Sequence, residues 1–317
     1  MPPILVIGSV AYDTVKTPFG EATEALGGSA TYFSVSASFF TRVSLVAAVG
    51  QDFKEEDWHF LETRNIDLSG LERVDGRTFR WAGEYGYDLN DARTLDTQLN
   101  VLADFQPKLT DTHRDVQFVF LGNLDPKIQR EVLGQVRRPQ LVACDTMNYW
   151  IAGQFNSLLD TLRRVDILII NDAEARQLTR ESNLIRAARK IHGWGPTTLV
   201  VKRGEYGALM FQRNSQGRIS VFGTPAYPLE DIFDPTGAGD TFAGGFMGYL
   251  AGVGKADWGS LRQAVVFGSV MASFNVEKFS LDRLRALTFT EIELRYKEFK
   301  EMTRFDDVVE WQPNWRV

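Results

Sequence analysis

The 317-residue sequence has one cysteine, three histidines, no strongly basic block and no long apolar run. The single thiol, Cys144, cannot form an internal disulfide, and its place after the apolar run 141–143 reads as a buried strand residue, not a nucleophile. His59, His113 and His192 are scattered and make neither HExxH nor any other metal-ligand spacing. Every apolar stretch falls short of the roughly 18 residues a membrane helix needs. Met1-Pro2-Pro3 runs straight into Ile4-Leu5-Val6-Ile7, leaving no room for a basic leader or a signal core. These absences predict a cytoplasmic chain with no membrane partner. A net charge of −6, from 35 Lys and Arg against 41 Asp and Glu, predicts no nucleic-acid partner. The 7 Trp and 22 Phe lack interleaved basic residues and read as core and lid aromatics. A P-loop Gly-x-x-x-x-Gly-Lys-Ser/Thr is missing, as is the Gly-x-Ser-x-Gly elbow of serine hydrolases.

What is present is a rhythm. With 44% hydrophobic residues, the chain can bury a sizeable core as one large α/β domain or two smaller ones. Short β-rich runs at 4–10, 43–49, 116–121, 141–145, 165–170 and 198–202 read as buried central strands. Helical spacing fills 29–40, 52–64, 153–164 and 173–192, and again 239–251 and 257–276. Repeated strand–helix–strand order predicts a mostly parallel sheet covered on both faces. Two stretches break the pattern: 11–26, and 71–86, where Thr78-Phe79-Arg80-Trp81 alternates as a strand does. They predict a small β flap over the strand ends, a natural lid.

The densest chemistry lies in Asp234-Pro235-Thr236-Gly237-Ala238-Gly239-Asp240, followed by Gly244-Gly245. Small residues at 237–239 let successive N–H groups converge at a helix start, which makes an anion hole. Asp240, at the same turn, is placed to accept the proton of an attacking alcohol while the hole receives phosphoryl oxygens. The positive helix end is expected to favour its ionised form. The plain alternative, an Asp that merely caps a helix, is outweighed by the small residues around it.

This run resembles the C-terminal signature of the ribokinase-like sugar kinases, the PfkB family, and other segments agree with that family in order along nearly the whole chain. The resemblance implies a ribokinase-like three-layer αβα sandwich, one kinase domain over 1–317, with a lid from about 11–26 and 71–100. It implies Asp240 as catalytic base, Gly237, Ala238 and Gly239 as anion hole, and ATP with Mg²⁺, a monovalent cation being a further candidate. Asn171-Asp172-Ala173-Glu174 is similar to the family's Asn-x-x-Glu motif, whose acid organises Mg²⁺ through water. Read alone, Asn171 and Glu174 are a helix cap and its N3 partner. Lys202-Arg203-Gly204-Glu205-Tyr206-Gly207 resembles the turn beside the nucleotide, with Lys202 meeting a phosphate and Gly204 and Gly207 reversing the chain. Asn275, in the segment 268–275, is carried over as an adenine neighbour.

At the other end, the segment ending in Asp13 resembles the strand that presents an Asp to substrate hydroxyls, and Gly27-Gly28 the diglycine beside the sugar. Two departures stand out: Ala11 and Tyr32 occupy positions where many family members carry Asn, which puts ribose and fructose in doubt. Arg80 and Glu84 in the flap read as solvated charges rather than substrate contacts. The expected function is phosphorylation of a hydroxyl on a small polyhydroxy acceptor, a sugar or cyclitol. Its rivals are a nucleoside kinase of the same fold, with Phe79, Trp81 and Tyr85 stacking on a base, and a catalytically silent sugar-binding regulator. The family expectation for assembly is a homodimer through the lid.

Overall fold

The computed structural model describes residues 3–306. Its first seven strands are β1 (Ile4–Ile7), β2 (Ala11–Thr17), β3 (Gly20–Gly27), β4 (Val43–Gly50), β5 (Ile66–Val74), β6 (Phe79–Tyr85) and β7 (Ala92–Gln98). Six more follow: β8 (Phe118–Leu121), β9 (Leu141–Cys144), β10 (Ile167–Asn171), β11 (Thr198–Lys202), β12 (Ala208–Arg213) and β13 (Ile219–Thr224). The central sheet runs β13-β12-β11-β10-β9-β8-β1-β4-β5. It is parallel from β11 to β5, and β12 and β13 add an antiparallel edge.

Because both faces are covered, the inner parallel strands are apolar at nearly every position, with Ser44, Asn171, Thr198 and Lys202 as exceptions, and alternation sorts their side chains between two cores. Ile4, Val6, Phe118, Phe120 and Val200 point to one face; Leu5, Ile7, Val119, Leu121, Leu199 and Val201 point to the other. The first core is closed by helices that include Ser29–Ala37, Ala238–Val253 and Trp258–Asn275, the second by helices that include Pro126–Gln135, Phe155–Leu162 and Leu184–His192. Cys144 is fully buried in the second core, where burial pushes its thiol pKa up. No helix among the described residues is long and apolar enough to cross a membrane.

The lid is a separate four-stranded sheet, β3-β2-β6-β7, made of two antiparallel hairpins joined by the parallel pair β2–β6. Thr17 Oγ1 donates to Phe233 O at 2.9 Å and Ser280 Oγ to Leu26 O at 2.6 Å, tying the lid to the main body.

Several expected boundaries need correction. Residues 71–74 belong to β5 in the main sheet, where Leu71 pairs with Ala47; a register shift between Ser44 and Val46 disturbs the alternation that would have revealed it. The single helix expected over 173–192 is two, Asp172–Thr179 and Leu184–His192. Arg180 turns left-handed (φ 56°), and Asn183 restarts the helix by accepting from Ile185 N and Arg186 N. The helix expected over 153–164 is present as Phe155–Leu162, and a separate short helix not expected from the sequence, Asn148–Gly153, ends just before it at Gln154. Of the expected 1–317 unit, residues 1–2 and 307–317 lie outside the described residues.

One packing contact decides where the site can form. Gly244 lets helix Ala238–Val253 press onto helix Ser29–Ala37 so closely that a Cβ there would lie 2.4 Å from Phe33 O and 2.7 Å from Ser36 Cβ. Ser36 Oγ donates to Thr241 O at 2.7 Å, fixing the first turn of the later helix on the earlier one. Gly244→Val is expected to force these helices apart and destabilise the protein by about 1–3 kcal/mol or more, the usual cost of overpacking. Chemical denaturation would check this; an unchanged midpoint would mean that the helices separate freely.

Candidate active site

The carboxyl ends of β1, β9, β10 and β11 and the start of helix Ala238–Val253 converge under the lid, at the end of the sheet where α/β folds bind ligands. The turn entering that helix is built from inside. Asp234, buried, accepts from Thr236 N at 2.8 Å and from Ser280 N at 2.9 Å. Gly237 is left-handed (φ 73°), and a Cβ on it would sit 2.3 Å from the Tyr32 ring, so only glycine makes this corner. Thr241 N donates to Gly237 O at 2.8 Å, and the helix is under way.

The amides of Gly237 and Gly239 have no acceptor among the described residues, whereas Ala238 N–H is spent on Pro235 O at 3.1 Å. The anion hole expected over 237–239 is thus narrower than the sequence suggests. Asp240 stands in the first helical turn beside it. Its carboxyl pKa is raised to about 7, first by burial and then by the charge of Asp145, against the ammonium of Lys202 and its own backbone N–H. This corrects the expectation that the helix end keeps Asp240 readily ionised: enclosure and a neighbouring carboxylate outweigh the dipole.

Lys202, the last residue of β11, brings its Nζ 2.8 Å from where a Cβ on Gly239 would lie, and 3.4 Å from Asp145 Oδ2. Its pKa is raised: burial would discharge the ammonium, but Asp145, Glu174 and Asp240 together hold the charge. Asn171 and Glu174 form the reciprocal cap that their spacing allows, Asn171 N donating to Glu174 Oε2 at 2.8 Å and Glu174 N to Asn171 Oδ1 at 2.7 Å. The cap also aims Glu174 at the cluster, where burial and Asp145 push its pKa up to about 7. Among the described residues no three His, Cys, Asp or Glu side chains gather as a metal-binding group. Three carboxylates facing a single ammonium do suit a hydrated divalent cation held through water and phosphate oxygens, since Mg²⁺ keeps most of its water.

Asp13, Gly27 and Gly28 close the other side. Asp13 is on β2, and its Oδ2 accepts from Gly28 N at 3.4 Å; a Cβ on Gly27 would lie 2.0 Å from that oxygen. Burial, with the charges of Asp234 and Asp240, pushes the Asp13 pKa up to about 7, so these acids share one enclosure. Trp81 is the register partner of Asp13 and lies on the same face of the lid. Tyr85, at the end of β6, accepts from Thr236 Oγ1 at 3.3 Å and thereby joins the lid to the anion-hole turn. Arg80 and Glu84 are not the solvated charges expected: Arg80 is largely covered and held by Asp52 and Glu24, and Glu84 is half-buried and held by Arg93, so ion pairs within and beside the lid occupy both.

Two expectations are placed differently. Asn275 is fully buried behind the turn, its Nδ2 donating to Thr236 O at 2.8 Å and its Oδ1 accepting from Thr241 Oγ1 at 3.0 Å. With both ends of the amide used, it is a clamp on the turn rather than an adenine contact. Gly204 and Gly207 do reverse the chain, but a Cβ on Gly207 would lie 2.0 Å from Thr224 O, so that glycine serves the β11–β12 connection packed against the end of β13. A Cβ on Gly204 would meet Asn90 of the β6–β7 loop at 2.2 Å, where the lid reaches this turn. Sequence reading missed Asp145 altogether. Its one signal is an acid directly after a buried apolar strand, on the ligand side of the sheet.

The chain is similar to several kinases. The chain is 30% identical over 257 residues to a cytidine kinase of Thermococcus kodakarensis, covering 78% of this chain and 89% of that protein. It is 22% identical to an inositol 3-kinase of Arabidopsis thaliana, over 93% of this chain and 81% of the relative. The fold superposes on the crystal structure of Methanocaldococcus jannaschii nucleoside kinase, described as an archaeal member of the ribokinase family, with a TM-score of 0.74. That match has 19% identity and covers 94% of this chain and 99% of the other. The sequence model of the pfkB family carbohydrate kinases matches residues 1–284, which hold the lid, the glycine turn and every acid of the cluster, and the chain belongs to that family.

Proposed function

We propose that the protein transfers the terminal phosphoryl group of ATP to a hydroxyl of a nucleoside. The observation that carries this reading is the juxtaposition of free amides at Gly237 and Gly239 and the carboxyl of Asp240, all in one turn, with the ammonium of Lys202 brought beside them from the end of β11. Amides and ammonium receive phosphoryl oxygens, and Asp240 takes the proton of the attacking hydroxyl. Asp13 accepts hydrogen bonds from acceptor hydroxyls, and Glu174, held by its cap, would hold the hydrated cation through water. Mg²⁺, when bound with ATP, neutralises charge on the phosphate oxygens. Lid closure, with Tyr85 on Thr236, excludes water from the transfer.

The nucleoside is favoured over the sugar or cyclitol expected from the sequence by the cytidine kinase at 30% identity and by the aromatic lid strand carrying Phe79, Trp81 and Tyr85. A cyclitol acceptor remains the second reading, on the inositol 3-kinase that matches 93% of the chain. ADP production with Mg-ATP against nucleosides, inositols, pentoses and hexoses separates the two. Turnover confined to polyols would overturn the nucleoside, and silence throughout would leave a binding protein.

Asp240→Asn is expected to leave ATP binding nearly intact while lowering kcat by on the order of 10²-fold or more, since the amide cannot take the proton. Normal turnover by this variant would remove Asp240 from the mechanism. A proton acceptor works only when ionised, so kcat/KM for the acceptor should fall as pH drops through about 7, where Asp240, Asp13 and Glu174 all gain protons. The limb should be steeper than a single ionisation because the three acids interact. An acid limb near pH 4 in the pH–rate profile would mean that the helix end controls Asp240 after all.

A further inference from the structure

The Lys202–Asp145 pair has a geometry that the phosphoryl-transfer reading does not by itself require. Asp145 follows β9, the strand between the acceptor side at β1 and β8 and the phosphate side at β10 and β11. It is held there from several directions. Its N–H donates to Leu121 O at 2.9 Å, its carbonyl accepts from the buried Gln129 Nε2 at 3.0 Å, and its Oδ1 accepts from Thr146 N at 2.8 Å. Gln129 Nε2 also reaches Gly122 O at 3.0 Å, binding the ends of β8 and β9 together. The remaining oxygen, Oδ2, faces Lys202.

The contact is a loose one. Nζ and Oδ2 are 3.4 Å apart, well beyond the roughly 2.7–2.9 Å of a tight charge-assisted bond. Among the described residues Asp145 is the one hydrogen-bond partner of the ammonium, which lies beside Gly239, one of the two residues with unbonded amides. A buried ammonium with no counter-charge is costly. Without phosphate in the hole, Asp145 supplies the bonded share of that charge, Glu174 and Asp240 acting from farther off; with phosphate present, the ammonium has a better partner on its other side.

We propose that Asp145 is the resting counter-ion of Lys202, a positioning residue that holds the ammonium at the mouth of the anion hole and yields it to an arriving phosphate. The proposal rests on the phosphate-binding reading of the turn, and it makes Asp145 a competitor of the nucleotide. Removing the competitor leaves Lys202 without its hydrogen-bonded partner in the empty protein, faced only by the unbonded charges of Glu174 and Asp240, so part of the gain on binding is no longer spent on breaking a pair. The sign is unusual for a substitution in such a centre: affinity for a phosphate ligand rises.

Calorimetric titration with ADP in the absence of Mg²⁺ tests this without any acceptor. Asp145→Asn, which keeps the acceptor for Thr146 N–H, should bind ADP on the order of tenfold more tightly than the wild type, and Lys202→Met more weakly by at least that factor. The double variant should match Lys202→Met, because a counter-ion without its cation has nothing to compete for. Equal or weaker ADP binding by Asp145→Asn overturns the proposal, as does a double variant that binds more tightly than Lys202→Met, since Asp145 would then act on phosphate directly. If Asp145→Asn alone does not fold, the comparison of Lys202→Met with the double variant, in which neither charge is buried, still decides. Failure to turn over nucleosides would sink the proposed acceptor and leave this result standing, whereas a wild type that binds no ADP would sink both.

Discussion

The site depends on one buried polar clamp. Asn275 grips the chain from behind at Thr236 O and Thr241 Oγ1, while Asp234 holds Thr236 N on one side and Ser280 N on the other. These bonds force the chain through the left-handed corner at Gly237 and straight into a helix, so amides that would otherwise be satisfied locally are left free. Each clamping group is itself satisfied inside the protein. That matters, because a half-bonded network at this depth would cost more than an apolar one.

Around the clamp, the electrostatics are set by crowding. Asp13, Glu174 and Asp240 are each pushed up to about 7, and burial is the leading cause every time. A single ammonium does not offset so many enclosed acids. The centre is therefore poised for protons or cations to enter with the ligand, which suits chemistry in which a proton leaves an alcohol and a divalent ion accompanies phosphate.

Much of this was legible in the sequence, for a physical reason. Buried parallel strands have no polar face, so their apolar runs declared themselves, and Gly237, Gly244 and Gly245 are required by close contacts with the Tyr32 ring, Phe33 O and Phe267 O. What stayed hidden depends on partners distant in the chain. Asp145 is an ordinary acid until Lys202 is brought to it; Asn275 reads as a ligand contact until Thr236 and Thr241 are seen to use both ends of its amide. β7 is exposed throughout, so it lacks the alternation that marks a half-buried strand, and β5 loses its pattern at a register shift. The helix expected over 173–192 failed at Arg180, a residue with no steric preference for the left-handed turn it makes. The order of sugar over nucleoside was set by Asp13 and the diglycine, which any hydroxylated acceptor would satisfy.

The sorting of strand side chains between two cores has a consequence for how the chain can change over generations. Leu5 and Val6 are neighbours in the gene, yet the first packs among residues such as Val132 and Leu133 and the second among residues such as Phe33 and Phe246. The sheet is a partition, and compensation for a lost or gained methyl group must come from the same side of it. The helices that carry the glycine turn and the diglycine share one compartment, while Glu174 begins a helix of the other. Drift in either compartment reaches the catalytic centre from only one side, leaving half of its scaffold undisturbed.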